Sequence, residues 1–315
     1  MTAWLFLAIG IVLLYYGAEF LIKGAVSCAT LMGVTPLAIG LTVVAFGTSA
    51  PEMTVSISAV LAGSGDISAG NVIGSNIFNI AFILGLTALI CPIKITWQII
   101  RFDVPVMIAV SILGIVLILD GNLSRLDGAI LFISIIAYTY WTFKASRNAK
   151  PDIQEEAKEQ ILPQKTYSMF LSTFFVLFGL LMLVAGSKLF VNGATAIARI
   201  WNISEAVIGL TIVSAGTSLP ELATSVVAAI RKQSDIAVGN VVGSNIFNIL
   251  AILGTTALIH PYSMPGIKHS DLFVMLLVAV VSMPLMWTKF KLNRVEGALL
   301  LVIYAGYLGY LLSNQ

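Results

Sequence analysis

Residues 40–52 read GLTVVAFGTSAPE, and residues 209–221 read GLTIVSAGTSLPE. Each is followed by a second block, DISAGNVIGSNIFNI at 66–80 and DIAVGNVVGSNIFNI at 235–249. The copies stand 169 residues apart without a gap, and 31 of the 54 positions between 40–93 and 209–262 are identical. Each copy sets one glutamate, Glu52 or Glu221, inside an otherwise apolar segment. A lone carboxylate duplicated in apolar sequence is what fold and function together have to explain.

Working outward, the 315 residues are 58% hydrophobic and 10% charged. Soluble domains carry about 25% charged residues, so a soluble class is excluded. Apolar runs recur along the whole length, near the roughly 20 residues that a helix needs to cross hydrocarbon. They predict an all-α polytopic membrane protein with ten spans, at 3–22, 37–61, 67–90, 104–119, 126–143, 167–190, 206–230, 236–259, 272–287 and 295–312. The offset of 169 reaches beyond the glutamate blocks. Gly17 and Gly24 match Gly186 and Gly193, and RLDGA at 125–129 matches RVEGA at 294–298. The expected domains are a first five-helix repeat at 1–143, a cytoplasmic linker at 144–166 and a second repeat at 167–315. Because five is odd, the second repeat enters from the opposite side, as an inverted repeat about an axis in the membrane plane.

With the N-terminus outside, thirteen Lys and Arg fall on the inner side and four on the outer. That is the positive-inside pattern, and it predicts a multi-pass protein of the cell (inner or plasma) membrane. The first span has no basic leader or cleavage site and has a repeat partner around Met182, so a retained helix is expected. Cys28 and Cys91 face Ile197 and His260 in the repeat and lack metal-ligand spacing, which reads as two free thiols. The expected partners are the bilayer and inorganic ions, with no nucleic acid, and a monomer suffices.

A carboxylate at mid-bilayer costs about 2.5–3.5 kcal/mol on insertion scales, so two at matching depths point to function. Pro51 and Pro220 lack an N–H and free the carbonyls of Gly47 and Gly216, which interrupts the helix just before each glutamate. Broken backbone at membrane depth is tolerated only where it is buried in protein or lines a polar cavity. Thr48 and Ser49 lie four and three residues before Glu52 and share its face. Hydroxyls, carbonyls and a carboxylate form a hard oxygen surface suited to Na⁺ and Ca²⁺. On the next helices, Asn71, Ser75 and Asn79 repeat every fourth residue, as do Asn240, Ser244 and Asn248. These carry interhelical hydrogen bonds on the plainer reading and ion ligands on the sharper one. Glu19 and its repeat partner Lys188 read as interfacial charges near helix ends, or as gating groups.

GTSAPE with GSNIFNI, and GTSLPE with GSNIFNI, resemble the paired repeats of the sodium/calcium exchanger family of cation/Ca²⁺ antiporters. The resemblance covers essentially the whole chain. It implies exchange of Na⁺ for Ca²⁺, about three for one, around a central cluster of sites and without a cofactor. It implies ligands from Ala45, Thr48, Ser49, Glu52, Ser75 and Asn79 in the first half. In the second half it implies Ser214, Thr217, Ser218, Glu221, Ser244 and Asn248, with Ala45 and Ser214 acting through backbone carbonyls. Potassium-dependent relatives carry Asp where this chain has Asn248, which argues against K⁺ co-transport. A proton-coupled or other divalent antiporter on the same scaffold, or a cation channel, are the alternatives. An enzyme is not expected: His260 and His269 are placed in the Pro-rich loop between the eighth and ninth spans, on the outer face, and no catalytic triad, paired-Asp or metalloprotease motif is present.

Overall fold

The computed structural model describes residues 2–148, 166–201, 208, 212 and 214–313. The chain is predominantly helical. It runs through α1 (Thr2–Met32), α2 (Pro36–Thr48), α3 (Ala50–Leu61), α4 (Gly65–Ile90), α5 (Ile99–Ile118) and α6 (Arg125–Arg147). The second half holds α7 (Met169–Ile200), α8 (Leu219–Ile230), α9 (Ser234–Ile259), α10 (His269–Trp287) and α11 (Arg294–Ser313). Among the described residues, eight helices are long and apolar enough to cross a membrane. The pair α2–α3 makes a ninth such span, bent by 45° at Ser49. The connector expected at 144–166 and the start of the span expected at 206–230 fall largely outside the described residues.

Two expected helices are longer than sequence predicted. The spans expected at 3–22 and 167–190 run further, and α1 and α7 continue to Met32 and Ile200. Lys23 therefore sits within a helix, where a long aliphatic stem can carry the charge outward. At 31 residues α1 is about 46 Å long, more than the hydrocarbon thickness, and tilt accommodates such an excess.

Local signals set the boundaries. Thr35 caps α2, accepting from the Ala38 N–H at 3.3 Å, with Pro36 at the first helical position. Ser124 and Asp127 form a capping box at the start of α6. Gly63 closes α3 and Gly121 follows α5, at φ +77° and +75°. Their positions in the second copy are held by Lys232 and Phe290, at φ +61° and +50°.

α1 and α7 lie against each other in antiparallel register. Gly10 meets Gly186 and Phe190, Gly17 meets Gly179 and Leu183, and Gly24 meets Ser172 and Val176. A Cβ on Gly17 would stand 2.9 Å from the Leu183 nitrogen, so only glycine permits this approach. Two short ribbons tie the remaining helices: β1 (Ile93–Lys94) pairs with β4 (Lys291–Leu292), and β2 (Asn122–Leu123) with β3 (Tyr262–Ser263). Each ribbon joins a strand from one half to a strand from the other. The main apolar core gathers residues of α4, α5, α9 and α10, and α4 and α9 carry the polar blocks through its centre.

Candidate cation-binding site

The break in α2–α3 sits where the proline predicts. Pro51 is in the first turn of α3, and Ser49 occupies the joint with φ −81° and ψ 6°. In the second half the turn Ser214–Gly216 precedes α8, with Pro220 in its first turn and Ser218 at its N-terminus. The carbonyl of Gly216, freed by Pro220, accepts from the Ser187 hydroxyl of α7.

Both glutamates are completely buried. Ser49 turns away from the glutamate three residues after it. Its Oγ donates to Oε1 of Glu221 at 3.0 Å, while Ser218 Oγ donates to Oε1 of Glu52 at 2.8 Å. The two half-segments thus exchange serines, and Ser75 Oγ lies 3.4 Å from Ser218 Oγ. Thr48 Oγ1 donates to Oδ1 of Asn240 at 3.0 Å. Among the described residues no Lys or Arg pairs with either glutamate.

Asn71 and Asn240 support the glutamates from behind. Asn71 Nδ2 donates to the Glu52 carbonyl at 3.1 Å and to Ser56 Oγ at 2.9 Å. Asn240 Nδ2 does the same for the Glu221 carbonyl at 3.2 Å and Ser225 Oγ at 3.0 Å. Asn79 and Asn248 do not meet each other. Asn79 Nδ2 donates to Oδ1 of Asn245 at 3.2 Å, and Asn248 Nδ2 donates to Oδ1 of Asn76 at 3.0 Å. Asn79 and Asn248 stand on π-helical stretches, Phe78–Leu84 and Asn248–Leu253. α3 packs on the second of these and α8 on the first. Such wide turns re-aim side chains and recur at functional sites; nothing in the local composition announces them.

Buried polar atoms are nearly always hydrogen-bonded. Here Oε2 of Glu52, Oε2 of Glu221, Oδ1 of Asn79, Oδ1 of Asn248 and Oγ of Ser244 are buried without a protein partner. All five are oxygens, four of them acceptors only, and all belong to the predicted set. Two carboxylates among neutral oxygens suit hard cations, Na⁺ or Ca²⁺. A softer metal finds little: among the described residues no three His, Cys, Asp or Glu gather to hold one.

The remaining predicted residues, Ala45, Ser214 and Thr217, stand in the broken segments themselves. The Ala45 carbonyl already accepts from the Ser49 N–H at 3.0 Å, and the Thr48 hydroxyl lies 3.3 Å from it. Ser214 is described only as backbone of the turn before α8, and Thr217 is half-buried beside it. Asn76 and Asn245 were missed by the sequence reading. They lie off the face of Asn71, Ser75 and Asn79, yet both belong to the duplicated GSNIFN block, which is the signal that could have found them.

The chain matches the family model described as sodium/calcium exchanger protein over residues 2–144 and 171–313. It is 38% identical to the putative antiporter CaxA of Alkalimonas amylolytica, over 100% of both chains. It is 31% identical to the sodium/calcium exchanger MaX1 of Methanosarcina acetivorans, over 96% of this chain and 97% of that one. A solved structure of the sodium-calcium exchanger NCX_Mj, soaked with Na⁺ and Ca²⁺, superposes with a TM-score of 0.83 at 33% identity, covering 98% of both chains.

Proposed function

The chain belongs to the sodium/calcium exchanger family, and from that premise we propose that it exchanges Na⁺ for Ca²⁺ by alternating access around Glu52 and Glu221. One observation carries the reading. Each glutamate keeps one oxygen on a serine of the opposite half and leaves the other buried without a partner. Ser49, Ser75, Ser218, Ser244, Asn79 and Asn248 complete the ligand set, with Thr48, Thr217, Ala45 and Ser214 beside them. The ions are substrates, and no cofactor is required.

Two carboxylates give the site a charge of −2. One Ca²⁺ or two Na⁺ neutralise it, and a third Na⁺ leaves the loaded site at +1. The two ions compete for the same oxygens, which couples their fluxes without a second site. Three-for-one exchange moves one net charge per cycle, worth about 2.3 kcal/mol per 100 mV. An empty site would carry −2 through apolar surroundings, which suppresses leak.

The architecture we propose is two inverted five-helix repeats of ten spans in the inner or plasma membrane, N-terminus outside. The antiparallel register of α1 and α7 supports it, as do the ribbons and serine bonds that join equivalent positions with the halves exchanged. The test is purified protein in liposomes, loaded with Na⁺ and diluted into labelled Ca²⁺. Wild type should accumulate Ca²⁺, a potential should change the rate, and Glu52→Gln should abolish uptake while the protein stays folded. Uptake by Glu52→Gln at the wild-type rate would sink the assignment. Uptake driven by a pH gradient without Na⁺ would make the coupling ion a proton.

A further inference from the structure

Asn76 and Asn245 are both about 1% exposed and belong to no expected ligand set. Asn76 Nδ2 faces the backbone carbonyl of Asn245 at 3.3 Å and the Sδ of Met275 at 3.9 Å. A carbonyl and a thioether only accept. The amino end of Asn76 is therefore fixed on that side, because turning the amide over would bring two acceptor oxygens together. Its Oδ1 must then face Asn248, and position 248 must donate. Asn248 does so with Nδ2 at 3.0 Å, which leaves its own Oδ1 as the oxygen without a protein partner.

The same logic runs on the other side. Asn245 Nδ2 lies 3.6 Å from the Sδ of Met107, and its Oδ1 accepts from Asn79 Nδ2 at 3.2 Å. Position 79 must also donate, and Oδ1 of Asn79 is left unpartnered.

We propose that Asn76 and Asn245 are positioning residues that set the hydrogen-bond polarity of the cation site. Each offers its neighbour only an acceptor, so positions 248 and 79 must donate, and an amide does so while holding its own oxygen ready for the ion. This holds the site at two carboxylates, because a carboxylate at 248 would set a charged oxygen against Oδ1 of Asn76 with no way to turn either group. The inference rests on the reading above, in which the free oxygens of Asn79 and Asn248 are ion ligands.

The experiment is a double-mutant cycle in the full-length protein, comparing wild type, Asn76→Ser, Asn248→Asp and the pair. A serine at 76 can donate to a carboxylate. Two readouts are taken: the thermal midpoint in detergent without added ions, and Na⁺-driven Ca²⁺ uptake in liposomes. Asn248→Asp should lower the midpoint and cut uptake at least about tenfold, since a buried acceptor then lacks its donor. Adding Asn76→Ser should recover much of both. The pair should half-saturate at a Ca²⁺ concentration several-fold below wild type, because it holds a third carboxylate. A merely structural Asn76 would give additive losses and no gain in affinity.

Wild-type behaviour of Asn248→Asp with Asn76 in place would overturn the proposal, as would a pair no better than Asn248→Asp alone. If Asn248→Asp cannot be recovered folded, recovery of the pair supports the proposal, and loss of both overturns it. If wild type itself takes up no Ca²⁺ in a Na⁺ gradient, the exchange reading fails. The midpoints then still decide the polarity claim.

Discussion

Ser218 and Ser49 each give their hydroxyl to the glutamate of the other half, so neither half-segment satisfies its own carboxylate. A hydrogen bond to a charged acceptor contributes about 1.5–3 kcal/mol. Ser218→Ala should therefore raise the half-saturating Ca²⁺ concentration by about tenfold or more, and Ser49→Ala should match it within a few-fold. Strongly unequal effects would mean that the two glutamates are not equivalent, and titration of Ca²⁺ uptake in liposomes reads this directly. Glu52, Glu221 and most of the oxygens around them were legible because apolar sequence makes a carboxylate conspicuous and the duplication marks it twice. Their partners were not. A shared helical face pointed Ser49 at Glu52, but the break before Pro51 re-aims it across to Glu221.

At the scale of elements, the glycine stripe and the turns show the repeat at work. α1 and α7 approach along glycines spaced seven apart, with backbone atoms under 3 Å from where a Cβ would stand. Such a surface lacks interlocking side chains and suits helices that slide. Gly17→Ala forces the backbones apart, and overpacking of this kind costs about 1–3 kcal/mol. It should lower the thermal midpoint and the transport rate together. Lys232 shows the opposite case. It holds a left-handed conformation at φ +61° where the first half uses Gly63, and such a conformation costs an L-residue about 1–2 kcal/mol. Lys232→Gly should raise the midpoint, and a lower one would show that its side chain supplies more than the strain removes.

The whole molecule is less symmetric than its sequence. α3 and α8 are equivalent twelve-residue helices, yet α8 buries seven residues and α3 three. α1 packs along α8, whereas α7 and α3, the equivalent pair, barely touch. Packing is closer at the α8 end than at the α3 end, an asymmetry that the proposed alternating access would produce in one of its two states. An ion pair marks the more tightly packed side. Glu19 of α1 is buried and pairs with Arg231 at the end of α8, with Lys23 at 3.9 Å. The equivalent positions hold Lys188 and Ala62, which cannot pair. Arg231→Gln leaves a largely buried carboxylate without its closest partner, a loss between the small value of a surface pair and the several kcal/mol of a buried one. It should open this face. Labelling of a single cysteine placed at Ala228, which is fully buried, should quicken by about tenfold. An unchanged rate would show that the pair does not hold the face shut.

The sequence by itself determined the helical membrane class, the duplication and the two glutamates, because burial of apolar segments in lipid and the cost of charge there are local constraints written residue by residue. It also marked the proline breaks, which follow from a missing N–H. Only the tertiary structure decided which serine serves which glutamate, that positions 79 and 248 donate to Asn245 and Asn76, and which of the equivalent helices α3 and α8 is packed more tightly. Those depend on contacts between residues about 170 apart, where the directions of donors and acceptors, not their spacing along the chain, choose the partner.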